Sequence, residues 1–219
     1  MFIKDYMTKH PVTIASKASI VEAQGIMAET HVRHLPVVET GKRLVGLITQ
    51  ETLRVPPTRL TSLNVWEITR FLSDLTVSDV MVKGKSVITV EPDVTIEEGA
   101  RILVENKIGC LPVVEDGIVV GIITDADIMA HLMEMMAAQS PGIRTTVRMH
   151  VNRPGELAKL VAAVAAQGWG IEALGGAPSP RDPEKWWDAV IKLRGIPKEK
   201  VSAVLGNIPD QEIIDCREV

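Results

Sequence analysis

The hydrophobic pattern of the chain alternates between short apolar runs and segments with apolar residues at helical spacing. Runs such as "LPVV" (35–38) and "LVGLIT" (44–49) are separated by polar turns that contain Gly. Such runs predict short, largely buried β-strands. Between two such runs, Ile20, Ala23 and Met27 recur every three or four residues, which predicts a helix with one buried face.

The same pattern occurs twice, about 75 residues apart. Residues 33–53 read "RHLPVVETGKRLVGLITQETL" and residues 109–128 read "GCLPVVEDGIVVGIITDADI". Before each block, a Ser or Thr stands three residues ahead of a Glu, the pattern of a helix-capping box. Each copy therefore predicts the order strand–helix–strand–strand–helix. A unit of this size buries a poor core alone, so we expect the two copies to pack face to face.

A different pattern begins after "AAQSPG" (137–142), a boundary of small residues, Pro and Gly. "TTVRMHV" alternates like a strand, and the next segment reads as a helix that Pro154 begins and Gly168 ends. A strand-like segment, the strong strand "KWWDAVIKLRG", a helix and a final strand follow. Trp186 and Trp187 should point to opposite faces, one into the core and one towards an interface. The order β-α-β-β-α-β predicts a ferredoxin-like fold.

Composition narrows the partners of the protein. Of 219 residues, 24% are charged and 46% hydrophobic, and the net charge is −4 without a basic stripe. Phosphate backbones attract basic stripes, so nucleic acid is not an expected partner. No apolar run approaches 18 residues, and "MFIKDYMTKHPV" is too polar for a signal peptide, so we expect a cytoplasmic protein without a membrane partner.

Metal and catalytic motifs are missing from the sequence. Cys110 and Cys216 form no CxxC pattern, and no further ligand pattern completes His31 and His34, so no metal site is expected. G-x-S-x-G, a P-loop and recognisable paired carboxylates are also missing, so the protein is not expected to be an enzyme. The Met-rich segment 127–139 is interpreted as a packing helix that forms a homodimer, in preference to a copper site.

Residues 1–138 resemble a pair of CBS domains, or Bateman module, because of the repeat and the Thr-x-x-Asp ending "TDAD" of its second copy. Residues 143–219, with "NRPGEL" at the first strand–helix turn, resemble an ACT domain, a small-molecule sensor. The combination, with an inserted helix between the copies capped by Asn64-x-x-Glu67, is similar to AcuB-type acetoin-utilization proteins. The expected fold is therefore α/β (α+β). Its expected parts are a first CBS repeat (1–60), a linker helix (61–75), a second CBS repeat (76–140) and an ACT-like domain (141–219).

The second copy ends in Thr124 and Asp127, where the CBS family binds the ribose of adenine nucleotides. An ionised carboxylate is an acceptor and can receive hydrogen bonds from both ribose hydroxyls, while the helix N-terminus favours a nearby phosphate. The plainer alternative is an ordinary helix cap. Apolar strand edges could enclose the base, which gives the expected further contacts Ile88, Ile108, Gly109, Cys110 and Pro112.

The first copy departs from the family pattern, since Thr52 stands where the carboxylate is expected and follows Thr49 by three residues. A ribose contact in this copy is therefore in doubt. Arg33 and His34 could neutralise the phosphate of a nucleotide held by the second copy, or could be solvated surface. The candidate ligands are AMP, ADP, ATP, NAD(H) and S-adenosylmethionine.

The ACT-like segment "MHVNRPGEL" resembles a serine-binding turn of phosphoglycerate dehydrogenases. The resemblance implies that His150, Asn152 and Gly155 surround an amino acid or another small metabolite. The alternative is that Asn152 is a helix cap and His150 a plain strand residue. That family expects an Asn where this chain has Gly170, so the partner of the ligand's amino group is missing.

Together these features predict a non-catalytic, dimeric sensor of an adenosyl ligand that regulates another protein. The AcuB resemblance implies a link with acetoin or carbon metabolism. The alternative is a dimeric interaction scaffold without a physiological small ligand, which the altered "TQET" ending and Gly170 would suit.

Overall fold

The computed structural model of the protein describes residues 1–54, 75–151 and 153–219. The chain divides into two compact units, Met1–Met129 and Ala130–Val219. The linker helix predicted at 61–75 lies, except for Leu75, outside the described residues, as does Asn152.

The first unit holds both copies of the repeat. The helices that follow Ser19 and Thr95 begin at their predicted caps, where Ser19 Oγ accepts from the Glu22 amide at 3.1 Å and Thr95 Oγ1 accepts from the Glu98 amide at 3.2 Å. The first copy consists of α1 (Ile3–Tyr6), β1 (Thr8–Lys9), β2 (Ile14–Ala15), α2 (Ile20–Thr30), β3 (His34–Glu39) and β4 (Arg43–Thr49). The second consists of α3 (Val77–Val80), β5 (Val82–Lys83), α4 (Ile96–Asn106), β6 (Cys110–Glu115), β7 (Ile118–Thr124) and α5 (Asp125–Met135), and α5 continues from the first unit into the second.

The two copies exchange their leading segments. Helix α1 lies on the second copy: the Ile3 amide donates to Val94 O at 2.8 Å, and the buried Ile3 side chain joins that copy's core. Strand β1 then pairs antiparallel with β7. In the mirror arrangement, the Val77 amide donates to Ala18 O at 2.8 Å, Val77 is buried in the first copy's core, and β5 pairs with β4. The predicted face-to-face packing is thus reinforced by an exchange of chain.

Two glycines make room for the exchanged segments. A Cβ on Gly121 in β7 would collide with the side chain of Met7, which follows α1. A Cβ on Gly46 in β4 would collide with the side chain of Met81 and would lie 2.8 Å from Val82 O. The Gly in each "VG" pair of the repeat therefore leaves space for a Met side chain from the other copy's leading segment.

The described strands of the first unit belong to one sheet, with order β1-β7-β4-β3-β2, β5 on β4 and β6 on β7. Strands β4 and β7 meet at Arg43 and Ile118, which joins the copies. The first strand of each predicted strand–helix–strand–strand–helix copy, which the apolar residues at Val12–Ile14 and Val87–Val90 indicate, is shorter than expected. In the first copy it forms β2 at Ile14–Ala15, and in the second it is reduced to one parallel bridge between Val90 and Val113.

The second unit has the predicted order β-α-β-β-α-β. Its elements are β8 (Ile143–His150), α6 (Glu156–Ala165), β9 (Ile171–Pro178), β10 (Trp186–Leu193), α7 (Lys198–Leu205) and β11 (Glu212–Glu218). The antiparallel sheet has the order β11-β8-β10-β9, as in ferredoxin-like folds. Alternate residues of β8 and β10 pack with both helices in an aliphatic core, and Trp187 borders that core.

The strand face opposite this core is polar. Arg148 on β8 holds Asp188 on β10 with two hydrogen bonds, of 2.7 and 2.8 Å, and donates to the buried Ser179 hydroxyl at 2.8 Å. Beside this cluster, Trp186 packs on the ring of His150 with 4.2 Å between ring centroids. Since Trp186 and Trp187 are neighbours on a strand, they face opposite sides, as predicted.

Candidate functional site

Two clefts lie between the copies in the first unit. We call the first the Asp127 cleft; its volume is about 360 Å³. The second, the Thr52 cleft, measures about 630 Å³. Each cleft is lined by the end of one copy's last strand and by the leading strands of the other copy. The Asp127 cleft is lined by Thr8, His10, Pro11, Val12, His31, Val32, Arg33, His34, Ile122, Thr124, Ala126 and Asp127.

Asp127 lies in the first turn of α5 and keeps one carboxylate oxygen available. Its Oδ2 accepts from the Thr124 amide and the Thr124 hydroxyl, both at 2.8 Å, and Thr124 Oγ1 accepts from the Asp127 amide at 3.3 Å. These bonds fix the side chain at the N-terminus of α5. In the described parts of the chain, no hydrogen bond is made to Oδ1, which leaves an acceptor at the cleft wall.

The equivalent turn of the first copy offers no carboxylate acceptor, because Thr52 stands at the position of Asp127. Thr52 Oγ1 accepts from the Thr49 amide at 3.0 Å and donates its single proton to Thr49 O at 2.9 Å. Thr49 Oγ1 in turn accepts from the Thr52 amide at 3.2 Å. A hydroxyl has one proton to donate, so the donor capacity of Thr52 is used within its own turn. The two clefts therefore differ in chemistry although their backbones repeat.

The nucleotide contacts expected from the sequence are divided between the two clefts. Thr124 and Asp127 line the Asp127 cleft, and Arg33 and His34 line both clefts. Pro112 is buried in β6 opposite Ile122 and is not among the residues that line either cleft. The remaining expected base contacts line the Thr52 cleft instead: Ile88, Ile108, Gly109 and Cys110.

The division follows from the way each cleft crosses from one copy to the other. The sequence interpretation took the base-enclosing edges from the same copy as the carboxylate. In the structure, the end of β7 faces the segment before β2 and the start of β3, so the apolar walls beside Asp127 are Val12 and Val32.

Several lining residues were missed by the sequence interpretation. His31 in the Asp127 cleft and Lys107 in the Thr52 cleft occupy equivalent left-handed positions after α2 and α4, with φ of 55° and 53°. Alignment of the two copies could have found this pair, because each residue directly follows the last helical turn. Asp125 and Arg54 in the Thr52 cleft carried no pattern that could have identified them.

Comparison with known proteins identifies the repeat. The CBS domain family model matches residues 3–55 and 77–134, a little over half of the chain. The chain belongs to the CBS domain family. Among solved structures, AcuB from Vibrio cholerae, a protein named for acetoin utilization, is 29% identical with a TM-score of 0.52. That match covers 64% of this chain and 96% of AcuB.

Other relatives share the CBS pair. The CBS pair of protein MJ0100, solved with 5′-methylthioadenosine and S-adenosylmethionine, is 28% identical with a TM-score of 0.50 over 64% of this chain and 98% of its own. CBSX2, solved with AMP, is 26% identical with a TM-score of 0.50 over 60% and 96%. The L-aspartate semialdehyde sulfurtransferase of Methanocaldococcus jannaschii is 33% identical over 58% of this chain but 22% of its own length. The chain therefore spans about a quarter of the length of such curated relatives.

Two side chains of the CBS pair have environments that limit their chemistry. Burial, followed by the charge of Arg33, lowers the pKa of His34, while Asp125 acts in the opposite direction. His34 therefore presents a neutral imidazole to both clefts near pH 7, with one donor and one acceptor. Burial, with a smaller contribution from Asp125, raises the pKa of the Cys110 thiol to about 12, so this cleft cysteine stays protonated and unreactive.

Within the described ranges, no three His, Cys, Asp or Glu side chains converge as a metal site. In the same parts of the chain, each helix is too short or too polar to span a lipid bilayer.

The second unit has a smaller cleft of about 250 Å³ beside the N-terminus of α6. His150 lines it, and Gly155 stands before the helix with φ of 88°, a conformation that suits glycine. Asn152, the third expected contact, lies outside the described residues. Glu156, also in this cleft, is held by Lys159 Nζ at 2.8 Å, and this bond keeps the pKa of its buried carboxyl below the usual range. The helix N-terminus thus already has its own carboxylate, which disfavours a second one from a ligand.

Proposed function

We propose that this protein is a non-catalytic regulatory sensor whose CBS pair binds an adenosyl ligand in the Asp127 cleft. The observation that carries the proposal is the free Oδ1 of Asp127, fixed by Thr124 at the wall of a cleft that crosses the two copies. A cap that served the helix alone would not need to face such a cleft.

The lining of this cleft suits the parts of an adenosine. Asp127 Oδ1 can accept hydrogen bonds from the vicinal hydroxyls of the ribose. Val12, Val32 and Ile122 supply apolar surface for a flat base. Arg33, for which no ion pair is found within the described ranges, supplies a positive charge for a phosphate. The ligands in the MJ0100 and CBSX2 structures, which are adenosyl compounds, support this ligand class.

AMP, ADP, ATP, NAD(H) and S-adenosylmethionine are the candidate ligands. The proposal includes no catalytic residue. Cys110 lines the same cleft as His34, but its thiol stays protonated near neutral pH and is therefore a poor nucleophile. The enzyme names among the relatives belong to proteins of which this chain spans about a quarter.

The second unit is proposed to be an ACT-like domain with a weaker metabolite site near His150 and Gly155, to which Asn152 would belong. Glu156 makes an amine a better group for this cleft than a carboxylate, because the negative charge is already present. The domain bounds 1–60, 61–75, 76–140 and 141–219 belong to this proposal. The likeness to AcuB supports a role in acetoin or carbon metabolism.

Helix α5 supports the proposal of a homodimer. Met129, Leu132 and Met133 are 57%, 49% and 40% exposed and lie at positions i, i+3 and i+4, so they form one apolar stripe. A partner copy would cover this stripe through equivalent helices, and the regulated protein would sense the resulting change in dimer shape.

The test is thermal unfolding of the full chain with each of AMP, ADP, ATP, NADH and S-adenosylmethionine. A ligand at 100 times its dissociation constant should stabilise the folded state by about 2.7 kcal/mol. Asp127→Ala should abolish this stabilisation. Asp125→Ala is the matched control, because Asp125 lies in the same turn, also bonds a backbone amide, and lines the other cleft.

No shift with any ligand would contradict the proposal and favour an interaction scaffold without a small ligand. A shift that both variants keep would place the ligand elsewhere in the protein.

A further inference from the structure

The turn that follows α5 packs on the polar face of the second unit's sheet. This turn holds Met136 and Ala137, which belong to the second unit. Lys192 of β10 donates to Ala137 O at 2.7 Å, and a Cβ on Gly175 of β9 would lie 3.0 Å from the Met136 sulfur. We call these four residues the Lys192 contact. The contact fixes the C-terminal end of α5 on the sheet.

The backbone at this helix end is strained. The Ala138 amide donates to Met133 O at 2.8 Å and the Ala137 amide donates to Glu134 O at 2.9 Å, which are the two bonds of a Schellman motif. The motif places Ala137 at φ of 49°, where glycine is the usual residue. The last carbonyls of a helix carry partial negative charge, so a nearby cation stabilises them. Lys192 therefore supports a helix end that its own sequence does not favour.

Lys192 is also held weakly. It is 3% exposed, and among the described residues Ala137 O is its one hydrogen-bond partner and no acid forms an ion pair with it. A buried ammonium group with one neutral acceptor recovers only part of its lost hydration. The core on the other face of the sheet does not include the Lys192 contact. The contact can therefore open locally while that core stays folded.

The other end of α5 carries the candidate ligand turn. Asp127 lies in the first turn of the helix, which has 11 residues. At 1.5 Å per residue, the helix is roughly 16 Å long. Its backbone hydrogen bonds form cooperatively, so a ligand that orders the first turn also makes opening at the last turn less frequent.

We propose that the Lys192 contact is a releasable link that couples the Asp127 turn to the second unit. Release of the contact needs no ligand, whereas the coupling rests on the proposed function. Coupling between two sites is reciprocal. A ligand that stabilises the closed contact must therefore bind less tightly once the contact is removed.

The experiment is hydrogen exchange of the full chain, read by mass spectrometry on peptides that cover residues 133–140. Lys192→Met keeps an apolar side chain of similar length and removes the charge and the donor. Exchange of the amides at 136–138 should become roughly ten-fold faster or more, since local opening controls it. Peptides from β8 and β10 should exchange as in wild type. Met136→Ala should give a smaller increase, because the hydrogen bond from Lys192 remains.

Lys200→Met is the matched control, because Lys200 is an exposed lysine on α7 of the same unit. It should leave exchange unchanged in every peptide. Unchanged exchange at 133–140 in Lys192→Met would overturn the proposal. Faster exchange there together with β8 and β10 would also overturn it, because the contact would then open only with the sheet.

AMP, or S-adenosylmethionine if AMP does not bind, measures the coupling. At saturation it should slow exchange at 136–138 in wild type by roughly three-fold or more, and calorimetry should show a matching loss of affinity in Lys192→Met but not in Lys200→Met. Binding without either effect would refute the coupling. If neither ligand binds wild type, the proposed function and the coupling both fail, while the ligand-free comparison still decides the release.

Discussion

The exchange of leading segments predicts an unequal pair of glycine substitutions. Gly121→Ala places a methyl group against Met7, whose Cγ and Cε lie 3.0 and 3.1 Å from the new Cβ, so the three nearest atoms all belong to one flexible side chain. Gly46→Ala meets Met81 and also the backbone oxygen of Val82 at 2.8 Å. Backbone cannot rotate away, so Gly46→Ala should be the more destabilising substitution.

Overpacking typically costs about 1–3 kcal/mol. We expect about 1 kcal/mol for Gly121→Ala and about 3 kcal/mol for Gly46→Ala. Neither glycine has a positive φ, so alanine is conformationally allowed at both positions. In a Met7→Ala background, Gly121→Ala should therefore become neutral or slightly stabilising, by up to about 1 kcal/mol. Met81→Ala should relieve Gly46→Ala in part, because Val82 O remains.

Scanning calorimetry of the single and double variants measures these couplings, with about 4 °C of midpoint shift expected per kcal/mol. Gly25→Ala is the control. Gly25 is exposed inside α2 with nothing near its Cβ, so this change should stabilise the protein by roughly 0.5–1 kcal/mol. If Gly121→Ala destabilised the protein equally with Met7 and with Met7→Ala, the packing of Met7 against β7 would be refuted.

Three further predictions test other parts of the structure. Because its pKa is about 12, Cys110 should be about 1 part in 10,000 thiolate at pH 8 and label far more slowly than Cys216 in the native protein; equal rates would contradict its burial. Arg148 lowers the pKa of Asp188, so the stability that Asp188 contributes is present above the usual carboxyl pKa of about 3.9 and is lost as pH falls through the lowered value. Asp188→Asn should therefore lower the melting temperature at pH 7, with a deficit that closes below pH 4; a constant deficit would contradict the ion pair. Thr52→Asp should supply the missing carboxylate acceptor, so calorimetric titration should show more AMP molecules bound per chain. An unchanged number would contradict the idea that the residue at position 52 decides ribose binding in the Thr52 cleft.

Much of the fold follows from local patterns. The capping residues Ser19 and Thr95 and the apolar hairpins around the repeated Gly are set by neighbours within a few residues, so periodicity predicts them. The strand at 87–90 was overestimated because an apolar run also suits a buried loop. The β-α-β-β-α-β order of the second unit was predicted for the same local reasons.

The sequence predicted individual parts of the candidate site, but the structure combines these parts differently. Thr124 and Asp127 form the expected turn, because three-residue spacing in a first helical turn determines it. The residues that face this turn across the cleft come from the other copy, and they lie about 90–115 positions earlier in the chain, as Val12 does relative to Asp127. One sequence contains no signal for such pairings, so Ile88 and Cys110 were expected beside Asp127, whereas they line the Thr52 cleft.

The proposed recognition of a ribose by Asp127 can be tested by calorimetric titration with AMP and with 2′,3′-dideoxy-AMP, which lacks both ribose hydroxyls. Hydrogen bonds to a charged group contribute about 1.5–3 kcal/mol, so wild type should prefer AMP by roughly 10- to 150-fold. Asp127→Ala should bind both nucleotides equally weakly. A preference for AMP that persists in Asp127→Ala, or wild type that binds the two alike, would contradict the account.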